Sequence, residues 1–141
     1  MSFYLDTSVI VATLTPEDAS PRVRQWLERR RDAALNISEW VGTEVSAALS
    51  IKVRNRDLTE QAQAIALSAF AVMRSDNFVL LPIDASAFRR AANLADRSQF
   101  GLRSGDALHL AIVEPTAMPL VTLDKRLAKA GHGLGIATLL L

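Results

Sequence analysis

Strand-like and helix-like segments alternate along the whole chain, and this alternation limits the possible fold more than any other feature of the sequence. Short apolar runs rich in β-forming residues are separated by longer helical patterns, so no predicted strand directly follows another. The predicted strands span 3–6, 33–38, 78–84, 119–124 and 135–141. Parallel neighbours in a sheet need crossover connections, which are usually helices. The pattern therefore predicts an α/β protein with a parallel five-stranded sheet covered by helices on both faces.

The predicted helices have recognisable boundary signals. Ser20 precedes Pro21, which is typical of an N-cap followed by proline at the first helical position. Thr59 is the predicted N-cap of a long amphipathic helix, and Gly131 is expected to end the helix after the fourth strand. The run FVLL at 78–81 shows no polar alternation, which is typical of a strand buried on both faces. The predicted helices span 8–14, 20–32, 39–55, 58–76, 85–98, 104–113 and 125–131.

The composition fits one domain with a substantial core. The chain has 141 residues, of which 50% are hydrophobic, so we expect a single domain spanning 1–141. The absence of cysteine excludes disulfides, thiolate zinc sites and a cysteine nucleophile. A net charge of +1 argues against nucleic-acid binding through overall charge, but it allows a local basic surface. The sequence has neither a signal-peptide pattern nor an apolar run of about 20 residues, so we expect a cytoplasmic protein without membrane association.

Acidic residues follow the predicted strands at what would be the carboxyl edge of the sheet. Asp6 ends the first strand, Asp84 the third and Asp124 the fourth, while Glu39 follows the second. Ligands bind outside this edge in open parallel sheets. Each of these acids also lies at a helix start, where a carboxylate caps free N–H groups or complements the helix dipole. Taken singly, each acid is explained by this structural role.

Two further acids lie within helical segments whose neighbours are apolar. Glu44 shares a helix face with Trp40 and Ile51, and we expect that face to point inward. Asp106 lies near the start of a segment that is apolar nearly all round, and Ser104 is the better-placed N-cap of that helix. A buried carboxylate is unfavourable unless a cation or hydrogen-bond donors compensate it. These two acids are therefore harder to explain by structure alone.

A shared metal ion would explain the acids together. Mg²⁺ and Mn²⁺ prefer oxygen ligands and are usually held by a few carboxylates together with water. Asp6 and Asp124 at strand ends could join Glu44 and Asp106 in such a cluster. This hypothesis requires the first and fourth strands to be neighbours in the sheet.

Four stretches of the sequence resemble a known family. They are YLDTSVIVA at 4–12, ISEWVGTEVSAAL at 37–49, GLRSGDALHLA at 101–111 and PLVTLDKRLAKA at 119–130. In this order and at these intervals they resemble the PIN domain, and in particular the VapC toxins of bacterial VapBC toxin–antitoxin pairs. The resemblance covers essentially the whole chain. It implies a three-layer α/β/α sandwich with strand order 3-2-1-4-5, in which the first and fourth strands are adjacent.

The resemblance also implies a metal site that contains Mg²⁺ or Mn²⁺. The acidic quartet of the family falls on Asp6, Glu44, Asp106 and Asp124, which makes these the expected catalytic and metal-binding residues. Ser8 and Thr122 occupy positions of supporting polar residues. The cations that flank two of the acids could contact RNA phosphates, although a solvated position at a helix end is the simpler explanation for each of them. These cations are Arg103, Lys125 and Arg126.

The activity implied by the resemblance is cleavage of structured RNA, either tRNA or ribosomal RNA, which stops translation. The implied partners are a VapB-like antitoxin, a second copy of the chain in a homodimer, and promoter DNA only through the toxin–antitoxin complex. An alternative is a catalytically silent PIN-like module that binds antitoxin or RNA. A phosphatase of the haloacid dehalogenase type is disfavoured because it needs a second acid where Ser8 stands. His109, one turn after Asp106, is better explained as a packed histidine than as a general base.

Overall fold

The computed structural model describes residues 1–141 and contains five strands and seven α-helices in strict order along the chain. Two short 3₁₀ turns, at Ser98–Phe100 and Glu114–Thr116, flank the sixth helix. The strands are β1 (Ser2–Leu5), β2 (Ala34–Ser38), β3 (Phe78–Leu81), β4 (Leu120–Thr122) and β5 (Thr138–Leu140). The helices are α1 (Thr7–Leu14), α2 (Ser20–Glu28), α3 (Glu39–Arg54), α4 (Glu60–Asp76), α5 (Ala85–Ala95), α6 (Ser104–Val113) and α7 (Lys125–Gly133). Every predicted element is present, with ends shifted by a few residues.

The five strands form one parallel sheet in the order β3-β2-β1-β4-β5. In β1, Tyr4 pairs with Asn36 of β2 on one side and with Leu120 of β4 on the other. This confirms the predicted fold class and strand order. Because all strands run the same way, the ends of β1 and β4 meet at one edge of the sheet, and the residues that follow them are neighbours.

Helices cover both faces of the sheet centre. Phe3, Tyr4 and Leu5 are consecutive in β1 and all three are buried, although successive strand residues point to opposite faces. Both faces of β1 therefore pack against other elements. The apolar runs of α1 and α6 are buried on nearly all sides and supply much of this cover. The start of each of these helices is thereby held close to the carboxyl edge of the sheet.

The edge strand β3 differs from the prediction. Val79 is 52% exposed and Leu80 is 41% exposed, so FVLL is not buried on both faces. The strand order explains the error, because β3 pairs only with β2 and lies at the margin of the sheet. An apolar run without alternation does not distinguish a central strand from an edge strand whose outer surface is uncovered.

Two residues predicted as helix-boundary signals, Ser20 and Gly131, have other positions in the structure. Ser20 is the first residue of α2 rather than its N-cap, which is Ala19, and the Ser20 hydroxyl donates to the Thr15 carbonyl. Gly131 does not end α7 but lies buried within it. A Cβ at Gly131 would lie 2.3 Å from Thr138 Cγ2, so this glycine allows β5 to pack closely against the helix. Thr59 caps α4 as predicted, accepting from the backbone N–H of Ala62.

None of the helices combines the length and the apolar character needed to cross a membrane.

Candidate active site

An open cleft lies at the carboxyl ends of β1 and β4, with a volume of about 330 Å³. Four acids from four different elements line it together with the side chains of Thr7, Ser8 and His109. The four acids are Asp6 after β1, Glu44 in α3, Asp106 in the first turn of α6 and Asp124 before α7. The structure thus brings together the four acids that the sequence singled out. Asp84 and Glu39 are not part of the cleft lining.

Asp6 is the most deeply buried of the four acids, with 4% of its surface exposed. It caps α1 by accepting from the Val9 backbone N–H at 3.2 Å, and it accepts further hydrogen bonds from the hydroxyls of Ser8 and Thr122. Burial raises the pKa of Asp6, although these hydrogen-bond donors act against the rise. Asp6 therefore both caps α1 and lines the cleft.

Ser8 and Thr122 tie the two strand ends together. The Ser8 hydroxyl donates to Asp6 at 2.6 Å and accepts from the Leu123 backbone N–H at 2.9 Å. The Thr122 hydroxyl donates to the other oxygen of Asp6 and accepts from the Asp124 backbone N–H at 2.9 Å. Both side chains thus link the β1–α1 junction to the segment between β4 and α7.

Glu44 faces the cleft and not the core, which corrects the inward orientation predicted from its neighbours. Its side chain is 28% exposed, and Ile51 on the same face is 46% exposed. The prediction failed because this apolar face of α3 lines an open cleft, while Val41, Val45 and Leu49 form the buried face. Apolar periodicity identified the helix but not which of its faces is covered.

The Glu44 carboxylate is anchored through one oxygen. Oε2 accepts hydrogen bonds from the Thr7 hydroxyl and from His109 Nε2, the latter at 2.6 Å. Burial alone would raise the pKa of Glu44, but the hydrogen bonds that it accepts from His109 and the Thr7 hydroxyl outweigh burial and lower the pKa. Oε1 lies over Gly105, only 2.7 Å from where a Cβ of that residue would be. The glycine therefore leaves the space that this oxygen occupies.

Asp106 lies in the first turn of α6, half-buried. It accepts a hydrogen bond from the Arg103 backbone N–H at 3.3 Å, and Arg103, not Ser104, is the N-cap of the helix. Burial raises the pKa of Asp106, and the negative charges of Asp124 and Glu44 raise it further. The repulsion shows that Asp106 stands in the field of two other carboxylates.

Asp124 is the N-cap of α7. Its Oδ1 accepts from the backbone N–H groups of Arg126 at 2.7 Å and Leu127 at 3.3 Å. The capping role predicted from sequence is therefore present, and Asp124 also lines the cleft. Its Oδ2 accepts no hydrogen bond from the protein.

The donor set of the cleft fits a hard divalent cation. No three of the acids or histidines are arranged as a closed metal-binding group. The cleft instead offers separate carboxylate oxygens around an open space, with mutual repulsion at Asp106 that a cation would relieve. Mg²⁺ keeps several waters and is usually held by one or two direct carboxylates, so an open all-oxygen site of this kind suits it.

The predicted RNA contacts lie beside the cleft. Arg103, Lys125 and Arg126 are all exposed, and none of them forms an ion pair. They precede or follow Asp106 and Asp124 in the chain. Their charged groups thus have no acidic partner in the protein.

Three residues at the site escaped the sequence analysis as functional candidates. Thr7 and His109 both bind Glu44, and Gly105 makes room for it. The three-residue interval between Asp106 and His109 places both on one helix face, and this spacing could have identified His109. Nothing in the local sequence marks Gly105, because the atom that it accommodates comes from α3.

Comparison with known proteins agrees with this architecture. The family model described as PIN domain matches residues 3–133. No curated protein matches the sequence. VapBC2 from Rickettsia felis, solved bound to a promoter DNA fragment, has a TM-score of 0.69 and 16% identity, covering 100% of this chain and 99% of that chain. VapC20 from Mycobacterium tuberculosis, a Sarcin-Ricin loop cleaving toxin, has a TM-score of 0.73 and 16% identity over 92% and 95% of the two chains. VapBC-5 from Mycobacterium tuberculosis has a TM-score of 0.62 and 21% identity over 99% and 98%.

Proposed function

The chain belongs to the PIN-domain family, and from this premise we propose that it is a metal-dependent endoribonuclease that acts as the toxin of a type II toxin–antitoxin pair. PIN domains are generally nucleases. The observation that carries the proposal is the convergence of Asp6, Glu44, Asp106 and Asp124 on one open cleft. Bonds to helix-start N–H groups explain Asp6, Asp106 and Asp124 singly, but they do not explain why four carboxylates share one cleft in which Asp124 and Glu44 repel Asp106.

In this proposal Asp6, Asp106 and Asp124 hold Mg²⁺ or Mn²⁺ directly or through water, and Glu44 is a further ligand or orients the attacking water. When bound, such an ion lowers the pKa of a coordinated water and offsets negative charge on the scissile phosphate. The lowered pKa of Glu44 keeps its carboxylate ionised at neutral pH, so it can accept a hydrogen bond from that water. Water is the nucleophile, so the RNA 2′-hydroxyl is not required, and the products carry 5′-phosphate and 3′-hydroxyl ends.

The remaining polar residues have binding and supporting roles in this proposal. Ser8 and Thr122 keep Asp6 in place through their hydroxyls. The unpaired Arg103, Lys125 and Arg126 bind RNA phosphates at the rim of the cleft. The net charge of +1 supports a local basic contact rather than general attraction to RNA. The substrate class is structured RNA, either tRNA or ribosomal RNA.

A VapB-like antitoxin is the proposed protein partner. Structures of similar fold include VapBC2 with a promoter DNA fragment and VapBC-5. We further propose that the chain forms a homodimer, works in the cytoplasm and reaches promoter DNA only through the antitoxin complex. A tandem pull-down of the tagged chain expressed with its neighbouring gene tests the partner, and light scattering tests the dimer.

Nuclease activity is tested by incubating the purified protein with total cellular RNA in Mn²⁺ or in EDTA. We expect Mn²⁺-dependent fragments with 5′-phosphate ends that disappear in the Asp124→Asn variant. Asp84→Asn is the matched control, because Asp84 also caps a helix after a strand of the same sheet but does not line the cleft. Equal cleavage by Asp124→Asn and by wild type would reveal a contaminating nuclease and refute the assignment. Binding of RNA without cleavage under any metal would favour the catalytically silent module.

A further inference from the structure

A chain of hydrogen-bonded side chains runs from Glu44 in the cleft into the core of the protein. Glu44 Oε2 lies 2.6 Å from His109 Nε2, and His109 Nδ1 lies 2.9 Å from the Tyr4 hydroxyl. The Tyr4 hydroxyl lies 2.8 Å from the Ser38 hydroxyl. We call His109, Tyr4 and Ser38 the buried column. Its three residues are 3%, 0% and 1% exposed, so the bonds within the column are shielded from solvent, whereas the bond from His109 to Glu44 is partly buried.

The buried column is polar where its surroundings are apolar. His109 is the one polar residue between Ala107 and Val113, a segment that is otherwise apolar and fully buried. Burying polar groups is unfavourable unless each of them finds a partner. A leucine or phenylalanine at position 109 would pack in the core without that requirement. The polar side chain therefore calls for a role beyond filling space.

The column can satisfy all of its hydrogen-bonding groups at once. With the imidazole hydrogen on Nε2, His109 donates to Glu44, Nδ1 accepts from Tyr4, and Tyr4 accepts from Ser38. Burial raises the pKa of Tyr4 far above its ordinary value, so its hydroxyl remains a donor. The three residues come from β1, β2 and α6, whose backbones are fixed by sheet and helix. The imidazole is therefore held at both nitrogens by rigid elements.

The anchored histidine fixes one oxygen of Glu44 and leaves the other available. His109 and Thr7 both donate to Oε2, while Oε1 lies over Gly105. A glutamate has three rotatable side-chain bonds, and an unanchored one would sample many positions in an open cleft. Two donors on one oxygen restrict the carboxylate to a single placement.

We propose that the buried column makes His109 a positioning residue, which holds Glu44 in the orientation needed for phosphodiester cleavage. His109 does not touch substrate, since it is buried and both of its ring nitrogens are engaged. The proposal rests on the nuclease function proposed above and assigns the column to the catalytic rate rather than to RNA binding.

The kinetic test compares His109→Leu, His109→Gln and Tyr4→Phe with wild type on total cellular RNA in Mn²⁺. His109→Leu should lower the apparent kcat by about 10–100-fold, the range typical of outer-shell partners, with little change in the apparent KM. His109→Gln keeps an amide donor for Glu44 and should recover part of the rate. Tyr4→Phe leaves the His109–Glu44 contact in place but frees Nδ1, and should lower kcat less than His109→Leu does.

Ile112→Ala is the matched control, because it disturbs the same buried helix without contacting Glu44. If the column were merely structural, kcat would fall in proportion to the loss of thermal stability in both Ile112→Ala and His109→Leu, and His109→Gln would rescue nothing. Either result would overturn the proposal while leaving the nuclease assignment intact.

A second readout does not depend on activity. Two-bond ¹H–¹⁵N spectra of the metal-free protein report which nitrogen of His109 carries hydrogen. We expect hydrogen on Nε2, and we expect the Nδ1 signal to shift in Tyr4→Phe. If the His109 ring carries no hydrogen on Nε2, or if its Nδ1 signal does not shift in Tyr4→Phe, the proposed hydrogen bonds of the column are refuted even if wild type cleaves RNA. If wild type cleaves nothing, the proposed function fails, and the positioning role assigned to His109 fails with it.

Discussion

Replacing Gly105 by alanine should separate activity from stability at this site. An ideal Cβ at Gly105 lies 2.7 Å from Glu44 Oε1, which is 0.7 Å closer than the 3.4 Å at which ordinary contacts begin. The same Cβ lies 3.4 Å from Trp40 Nε1, so the indole also limits the space around the new methyl group. Because Oε2 is held by Thr7 and His109, the displacement falls on Oε1.

The expected loss of activity follows from that displacement. A misplacement of about 1 Å in a catalytic group costs about 100-fold in rate, so a shift of 0.7 Å should lower kcat by about 10–100-fold. The fold should tolerate the change, since Gly105 lies in α6 without a positive φ and alanine favours the helix by up to about 1 kcal/mol. We therefore expect a melting temperature close to that of wild type together with a slow enzyme.

The assay measures initial rates on total cellular RNA in Mn²⁺ and thermal unfolding of the same samples. Gly42→Ala is the matched control, because Gly42 lies in the same helix as Glu44 and its Cβ would meet nothing closer than 3.8 Å. Full activity in Gly105→Ala would show that the position of Oε1 does not matter for cleavage. An equal loss of activity in Gly42→Ala would trace the effect to helix backbone and not to Glu44. Either outcome would refute the reasoning.

Three further perturbations test the metal, the charge at Asp6 and the packing of β5. Mg²⁺ at 100 times its Kd should stabilise the wild type by about 2.7 kcal/mol through linkage, and the stabilisation measured by thermal unfolding should be lost in Asp106→Asn. In EDTA, denaturant titrations should show that Asp6→Asn is more stable than wild type at neutral pH. Burial raises the pKa of Asp6 in the folded state, so the wild type loses stability as the pH rises from the unfolded-state pKa through the folded-state pKa. In acid, below both pKa values, the two proteins should converge in stability. Gly131→Ala should lose about 1–3 kcal/mol of unfolding free energy, because the new Cβ would lie 2.3 Å from Thr138 Cγ2. Thr138→Ser removes that methyl group and should restore part of the loss in the double variant. If the effects of the two substitutions simply added, the contact would be contradicted.

The overall fold could be predicted because its signals are local. Alternating strand and helix patterns, Thr59 as an N-cap and Asp6 at a strand end all involve residues close in sequence. The strand order came from resemblance to a family and is confirmed by the pairing of β1 with β4. The exposure of Val79 escaped prediction because an apolar run does not say whether its strand lies at the sheet edge.

The parts of the site that escaped prediction depend on partners distant in sequence. His109 meets Glu44 across 65 positions and Tyr4 across 105, so no local pattern reveals either bond. Gly105 is required by an oxygen from α3, just as Gly131 is required by a methyl group from β5. Local sequence identified which residues are acidic and where elements begin. Which oxygen each acid leaves free is decided by tertiary packing.

Capping and metal binding are compatible in this cleft because each carboxylate has two oxygens. Asp124 caps α7 through Oδ1 and leaves Oδ2 without a protein donor. Glu44 is anchored through Oε2 and leaves Oε1 over Gly105, while Asp106 accepts from backbone through Oδ2 and leaves Oδ1. Asp6 is the exception, since both of its oxygens accept hydrogen bonds, but Oδ2 receives a single donor and keeps a lone pair. The structural explanation of these acids therefore does not compete with the catalytic one: the bonds that hold helix starts in place also fix the direction in which each free oxygen points.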